Sequence, residues 1–293
     1  MKIDTLVFSG ASTKFPIYAG IFRALYDSHI LTPNLDGIQD IYVCSISMLM
    51  IIFVLLGADI DIIEECCMRG KFENLIDIDT IHIDALITEY GLTSNELLKT
   101  IVSNYIQQTL GKDDLTLQEL YEHNPINLHV KCANITQRRI EYINHSTNPD
   151  ISVCHLLCMT TAIPVLFKPI IYNDCMYLDG GINSGFPIDK IKNGDTYLGI
   201  RIKTEKNDSI QSIIDFVYNT MTLRNFKDEE LNKERTITYT HMLHFSQFEI
   251  SEDIKRELID QGYRQTKQHI DTYQLTNELI KPRPEDKDPT EED

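Results

Sequence analysis

The chain has 293 residues, 42% hydrophobic and 24% charged, which is enough apolar material for one large domain and excludes wholesale disorder. Its formal charge is −17 and its pI about 4.9, a balance that repels phosphate backbones and argues against nucleic acid as a partner. The seven cysteines contain no C-x-x-C pair, so their spacing supports no zinc site, and most read as small buried hydrophobes of a reducing compartment.

The opening "MKIDTLVFSG" meets Gly10 after only a few apolar residues and does not read as a secretory signal. Residues 3–10, "IDTLVFSG", read as a buried parallel strand ending in glycine. Over 16–30, Ile17, Ile21, Ala24 and Leu25 stand at helical spacing behind Pro16, which suits a first turn. Residues 40–44, "DIYVC", predict a second strand, and 47–57, "SMLMIIFVLLG", a helix apolar all round and therefore buried. The run from Val43 to Leu56 is 14 residues long and broken by Ser45 and Ser47, whereas a membrane-spanning helix needs roughly 20. Asp36 and Asp40 precede it, Asp59 and Asp61 follow it, and no Lys/Arg cluster flanks it, so it reads as core and not as a transmembrane span.

Strand, loop, helix, strand, helix is the βαβ pattern of a parallel sheet, which places the chain in the α/β class. Further helices are expected over 59–70, over 93–111 with Ser94 as cap and Gly111 as stop, and over 116–124. Strands are expected over 126–135 and 138–145, then a helix over 149–164 stopped by Pro164. Residues 176–181 form a strand end running into Gly180 and Gly181. Strands follow over 195–202 and 236–245, and helices over 212–226 and 251–270, the last opened by Ser251, Glu252 and Asp253. Residues 1–275 read as one domain, and 276–293, rich in proline and acid and without an aromatic, as a disordered tail.

Three stretches carry chemistry. Ser45 stands between an apolar strand and an apolar helix, where a sharp turn lifts a hydroxyl clear of the backbone and a helix N-terminus faces a developing oxyanion. Taken alone, a serine at such a junction without the flanking glycines reads first as a helix cap or a plain junction residue. Asp179, in "YLDGG", sits at a strand end, where a carboxylate can act as a base or simply form an Asp-Gly turn. "VFSGASTK", residues 7–14, is a strand running into a Gly/Ser/Ala-rich loop, whose backbone N–H groups suit an oxyanion or phosphate or form a routine β–α turn.

In their order and spacing these stretches resemble the patatin-like phospholipase family. Its pattern is a loop close to L-S-G-G-G-x-K-G, then G-x-S-x-G, and much later D-G-G. "FSGASTKF" occupies the first place, "VCSIS" the second and "DGG" the third, and 160–188 resembles the family's stretch around its aspartate. The likeness covers roughly residues 3–270 and is nearest the short patatin-like proteins of large DNA viruses. The resemblance implies a three-layer α/β/α domain with a mainly parallel central sheet. It also implies a Ser–Asp dyad of Ser45 as nucleophile and Asp179 as base, with Gly10, Ala11 and Ser12 at the oxyanion loop and Lys14 as its basic residue. The implied reaction is hydrolysis of a lipid carboxylic ester through an acyl-enzyme, without metal or cofactor, by a cytoplasmic protein touching lipid surfaces peripherally.

Several family glycines are replaced. Ala11 and Ser12 follow Gly10, Phe15 replaces a loop glycine, and Val43 and Ser47 replace the two elbow glycines. Ala11 and Ser12 are expected to serve only if the loop avoids the left-handed region, where a non-glycine residue costs about 1–2 kcal/mol. A lipid acyl hydrolase is therefore expected, with a catalytically impaired lipid- or protein-binding module on the same fold as the alternative.

Overall fold

The computed structural model describes residues 2–70, 83–191, 196–204, 232–243 and 249–278, with isolated positions between them. The α/β class holds. β1 (Thr5–Phe8) and β2 (Asp40–Cys44) are short, buried and parallel, joined through α1 (Ile17–Asp27). α2 (Ser47–Leu55) follows β2 after two residues and is buried at every position, as its unbroken apolar sequence requires. No described helix is long and apolar enough to cross a membrane.

α3 (Ile60–Arg69) starts on the Asp59 cap, and α4 (Ile83–Thr88) leads to β3 (Gly91–Thr93). α5 runs over Glu96–Leu110 and stops at left-handed Gly111. The expected Ser94 cap is not used, because 91–93 is a strand and Asn95 takes the cap position. The Asn95 amide is itself buried and donates to Cys158 O and Thr161 Oγ1, 2.8 and 2.9 Å away, tying α5 to the segment 158–161. α6 (Leu117–His123) opens with a full capping box between Thr116 and Glu119. α7 (Val153–Thr160) opens on the Ser152 side chain and ends before Pro164 is reached. Two strands too short to show a period, β6 (Val165–Phe167) and β7 (Ile170–Tyr172), follow it.

β4 (Asn127–Asn134), β5 (Arg139–Ile143), β8 (Cys175–Asp179), β9 (Tyr197–Thr204) and β10 (Thr236–His241) complete the described strands, and α8 (Glu252–Tyr273) packs on α1. Gly20 and Gly262 allow that packing. A Cβ on Gly20 would lie 1.9 Å from Ile259 O, and one on Gly262 2.2 Å from Ile17 O. Most of the helix expected over 212–226 lies outside the described residues. Within the tail expected from 276, Asn277 is buried and its amide pairs with the main chain of Ile3 and Ile30. Residues 279–293 lie outside the described residues.

The main sheet runs β10-β9-β1-β2-β4-β8-β7, with β5 beside β4, and β3 pairs with β6 separately. β10, β9, β1, β2 and β4 are mutually parallel. β2 and β5 both pair with Val130 and Lys131 and so occupy opposite edges of β4. β5 and β8 both pair with residues 132–134, so β8 lies on the edge that β2 occupies. Running in opposite directions along that edge, β2 ends opposite Lys131 and β8 ends opposite Cys132. Leu6, Phe8, Ile41 and Val43 feed the large core on one side, while Val7, Phe186 and Tyr197 form a small second cluster with Tyr42 beside it.

Candidate active site

The head-on meeting of β2 and β8 delivers two polar side chains to one point. Ser45 follows the last residue of β2 with φ +60, a left-handed conformation that a non-glycine residue holds only against a cost of roughly 1–2 kcal/mol. The turn is braced on both sides. The Ser45 N–H donates to Thr160 Oγ1 at 2.9 Å, and that hydroxyl donates to Lys131 O at 2.8 Å. Ser47, where a glycine was expected, fills its place with a bond: its hydroxyl donates to Cys44 O at 2.8 Å and accepts from Cys44 N at 3.1 Å. Val43 is accommodated wholly inside the core.

The Ser45 hydroxyl donates to Asp179 Oδ2 at 2.5 Å. The other carboxylate oxygen accepts from the Gly181 N–H at 2.7 Å and from the Cys44 thiol at 3.8 Å. Ser45 is 8% and Asp179 5% exposed. Burial pushes the Asp179 carboxyl up to about 6, against the pull of its hydrogen bonds from Ser45, Gly181 and Cys44 and of the Lys131 charge. Burial, and then the neighbouring Asp179, push the Cys44 thiol upward, so it stays neutral beside the carboxylate. The serine hydroxyl thus points at a base whose proton affinity lies near neutrality, an arrangement suited to making a serine nucleophilic.

The loop after β1 lies against this pair. A Cβ on Gly10 would sit 3.3 Å from Ser45 Cβ, so glycine is what lets the loop approach. The Gly10 N–H, however, donates to Gly185 O at 2.8 Å and is not turned to the site. Among the described residues the Ala11 N–H makes no hydrogen bond, and Ala11 has φ −129. Ser12 does not meet the condition set for an oxyanion donor: its φ is +48, in the left-handed region, at the start of the single turn Ser12–Lys14. Lys14 is folded inward, donating from Nζ to Leu243 O at 3.2 Å, and burial lowers its pKa to about 8. Phe15 is a core residue. Among the described residues no cluster of His, Cys, Asp and Glu could hold a metal ion.

Sequence reasoning missed Thr160 and Lys131. Thr160 lay inside the 160–188 stretch already singled out, and Lys131 stands between apolar Val130 and Cys132 in a strand that also carries Asn127, His129 and Asn134.

The family model for patatin-like phospholipases matches residues 6–191, spanning the β1 loop, Ser45 and Asp179. The chain belongs to the patatin-like phospholipase family. It is 31% identical over 121 residues to the probable lipid hydrolase 463L of invertebrate iridescent virus 6, covering 41% of this chain and 42% of that protein. It is 20% identical over 187 residues to the uncharacterized protein R571 of Acanthamoeba polyphaga mimivirus, covering 64% of this chain and 61% of that one. The matches thus span less than two thirds of these relatives' lengths. In fold it is similar to VipD from Legionella pneumophila, with a TM-score of 0.60 at 15% identity over 93% of this chain and 67% of VipD. It is also similar to the type III effector ExoU of Pseudomonas aeruginosa, with a TM-score of 0.52 at 14% identity over 94% of this chain and 54% of ExoU.

Proposed function

We propose that the protein is a lipid acyl hydrolase of phospholipase A type, cleaving carboxylic esters with Ser45 as nucleophile and Asp179 as base. The observation that carries this is the 2.5 Å bond from Ser45 Oγ to Asp179 Oδ2 at a left-handed elbow. Ser45 Oγ attacks the acyl carbonyl while its proton passes to Asp179. The tetrahedral oxyanion is held by backbone N–H groups at Ala11 and the start of α2. Collapse expels the alcohol, which takes the proton from Asp179 and leaves an acyl-serine. Water, deprotonated by Asp179, then releases the fatty acid. Gly10 contributes close approach, and Lys14 holds the loop from beneath. The substrate is a membrane or storage lipid ester, met at a lipid surface to which the protein binds peripherally from the cytoplasm.

A second reading, a catalytically impaired lipid- or protein-binding module, is favoured by the Gly10 N–H being held by Gly185 and by the strained Ser12. One experiment decides. A fluorophosphonate probe labels the wild type and not Ser45→Ala, and the wild type releases fatty acid from phospholipid vesicles. Equal labelling of both proteins removes Ser45 from the mechanism, and labelling without ester cleavage favours the binding module.

A further inference from the structure

Lys131 stands on the face of β4 that also carries Asn127 and His129, opposite Leu128, Val130 and Cys132, yet its side chain is 0% exposed. Desolvating an ammonium costs several kcal/mol unless partners replace the lost water. Its partners lie in the segment that follows Asp179. Nζ donates to Ser184 O at 3.0 Å and lies 3.5 Å from Asp189 Oδ1. It also sits 5.9 Å from the centre of the Tyr142 ring, whose hydroxyl donates to the same Asp189 oxygen at 2.5 Å. The stem of Lys131 packs beneath Gly180, where a Cβ would come within 2.8 Å of Lys131 Cγ and 2.5 Å of Lys131 O.

The same residue is linked to the Ser45 elbow through Thr160, to the Asp179 strand end through β4, and to the Gly10 loop through the segment 184–185. In register it is the β4 partner of Cys44, and its neighbour Cys132 is the partner of Asp179. Its carbonyl receives the Thr160 hydroxyl that braces Ser45. Its ammonium holds Ser184, next to the Gly185 carbonyl that receives the Gly10 N–H.

We propose that Lys131 is a positioning residue for the Ser45–Asp179 pair: its buried ammonium fastens the segment from Gly180 to Asp189 onto β4 and supplies the positive charge behind the Asp179 carboxylate. The proposal rests on the hydrolase reading of Ser45 and Asp179. The groups facing Asp179 are Ser45 from the elbow, Cys44 from β2, Lys131 and Cys132 from β4, and the Gly181 N–H from its own segment; Lys131 is the cation among them. Asp189 and Tyr142 face Lys131 in turn, and Lys190 Nζ lies 5.0 Å from the Tyr142 ring centre. Asp189 is 48% exposed and shares its oxygen with Tyr142, so it offsets the lysine charge only in part. The Lys131 charge acts against the burial that raises the Asp179 carboxyl, behind the hydrogen bonds from Ser45, Gly181 and Cys44.

The test uses the full chain as wild type, Lys131→Met and Lys131→Arg. The titration of the Asp179 carboxyl carbon is followed by NMR, and fluorophosphonate labelling of Ser45 is followed across the same pH range. Met keeps the length and apolarity of the stem and removes the charge. Its Asp179 midpoint is expected to move to higher pH, and Arg to restore it. Labelling at pH 6 falls about fivefold in the Met variant if the midpoint moves by one unit, since the ionised fraction drops from about one half to about one tenth. A folded Met variant with the wild-type midpoint overturns the proposal. If the Met variant does not fold, Asp189→Asn decides, because removing that half-exposed anion leaves the lysine charge uncompensated. A midpoint moved to lower pH then supports the proposal, and an unmoved one overturns it. A midpoint that shifts as expected in a protein whose Ser45 never labels would sink the hydrolase reading and leave the charge effect of Lys131 standing.

Discussion

Cys44 and Asp179 end two strands that run toward each other along one edge of β4, and they pair there with consecutive residues, Lys131 and Cys132. Ser45 needs only the next peptide to reach the carboxylate. The left-handed turn at Ser45 and the 2.5 Å bond to Asp179 both follow from this collision of strand ends.

Reactivity at Ser45 should rise with pH through about 6. Burial holds the Asp179 carboxyl near that value, and only its ionised form accepts the serine proton. Below it, labelling by a fluorophosphonate should fall about tenfold per pH unit. A rate that stays level from pH 5 to pH 8 would show that Asp179 is not the base.

Asp179→Asn should abolish labelling and yet stabilise the fold at neutral pH. The folded carboxyl titrates near 6 and the unfolded one near 3.8. Its favourable contribution is therefore complete below about pH 4 and is lost as pH rises through about 6, leaving a cost of about 3 kcal/mol at pH 8. Thermal unfolding should show the Asn variant ahead by several degrees at pH 8, with the gap closing toward pH 4. A variant less stable than wild type at pH 8 would contradict the burial argument.

Thr160→Val keeps the shape of the side chain and strips two hydrogen bonds, one from the Ser45 N–H and one to Lys131 O. Buried main-chain groups left unpaired should lower stability by about 1–3 kcal/mol in chemical denaturation. Labelling at Ser45 should fall more steeply than stability does, because the elbow loses its brace. Unchanged labelling in a folded variant would place the aim of Ser45 in the Ser47 hydroxyl bridge alone.

Much of this was legible in the chain. The apolar run from Met48 to Leu56 was too short to span a membrane and read as a buried helix, and Ser45 and Asp179, each weak alone, were visible through the order and spacing of the three motifs together. Asn95 was missed as a cap because Ser94 has equal propensity, and only tertiary contacts to Cys158 and Thr161 choose between them. β6 and β7 are three residues each and too short to establish a period. Lys131 was not singled out, because a lysine alternating with apolar residues on a strand carries no signal of burial. Its role depends on the segment 180–189 covering it, a contact between residues more than 50 positions apart.

Gly20→Ala tests the scaffold independently of chemistry. The added methyl would enter the main chain of α8, 1.9 Å from Ile259 O, where no side chain can move aside. Overpacking of this kind costs about 3 kcal/mol or more. The variant should unfold at markedly lower denaturant concentration, while Gly57→Ala, with open space around its Cβ and φ +78, should show only the smaller backbone penalty.

Ser45 and Asp179 are separated by 134 positions, and the Ser9 N–H and hydroxyl are tied to Ile200 and Ile202 of β9. As the chain leaves the ribosome, β1 and β2 therefore emerge long before the strands that complete them. Pairings so distant in sequence close late and slowly. While those 134 positions are being added, the polypeptide carries Ser45 without the carboxylate that its hydroxyl meets in the folded chain, and that carboxylate arrives only with β8.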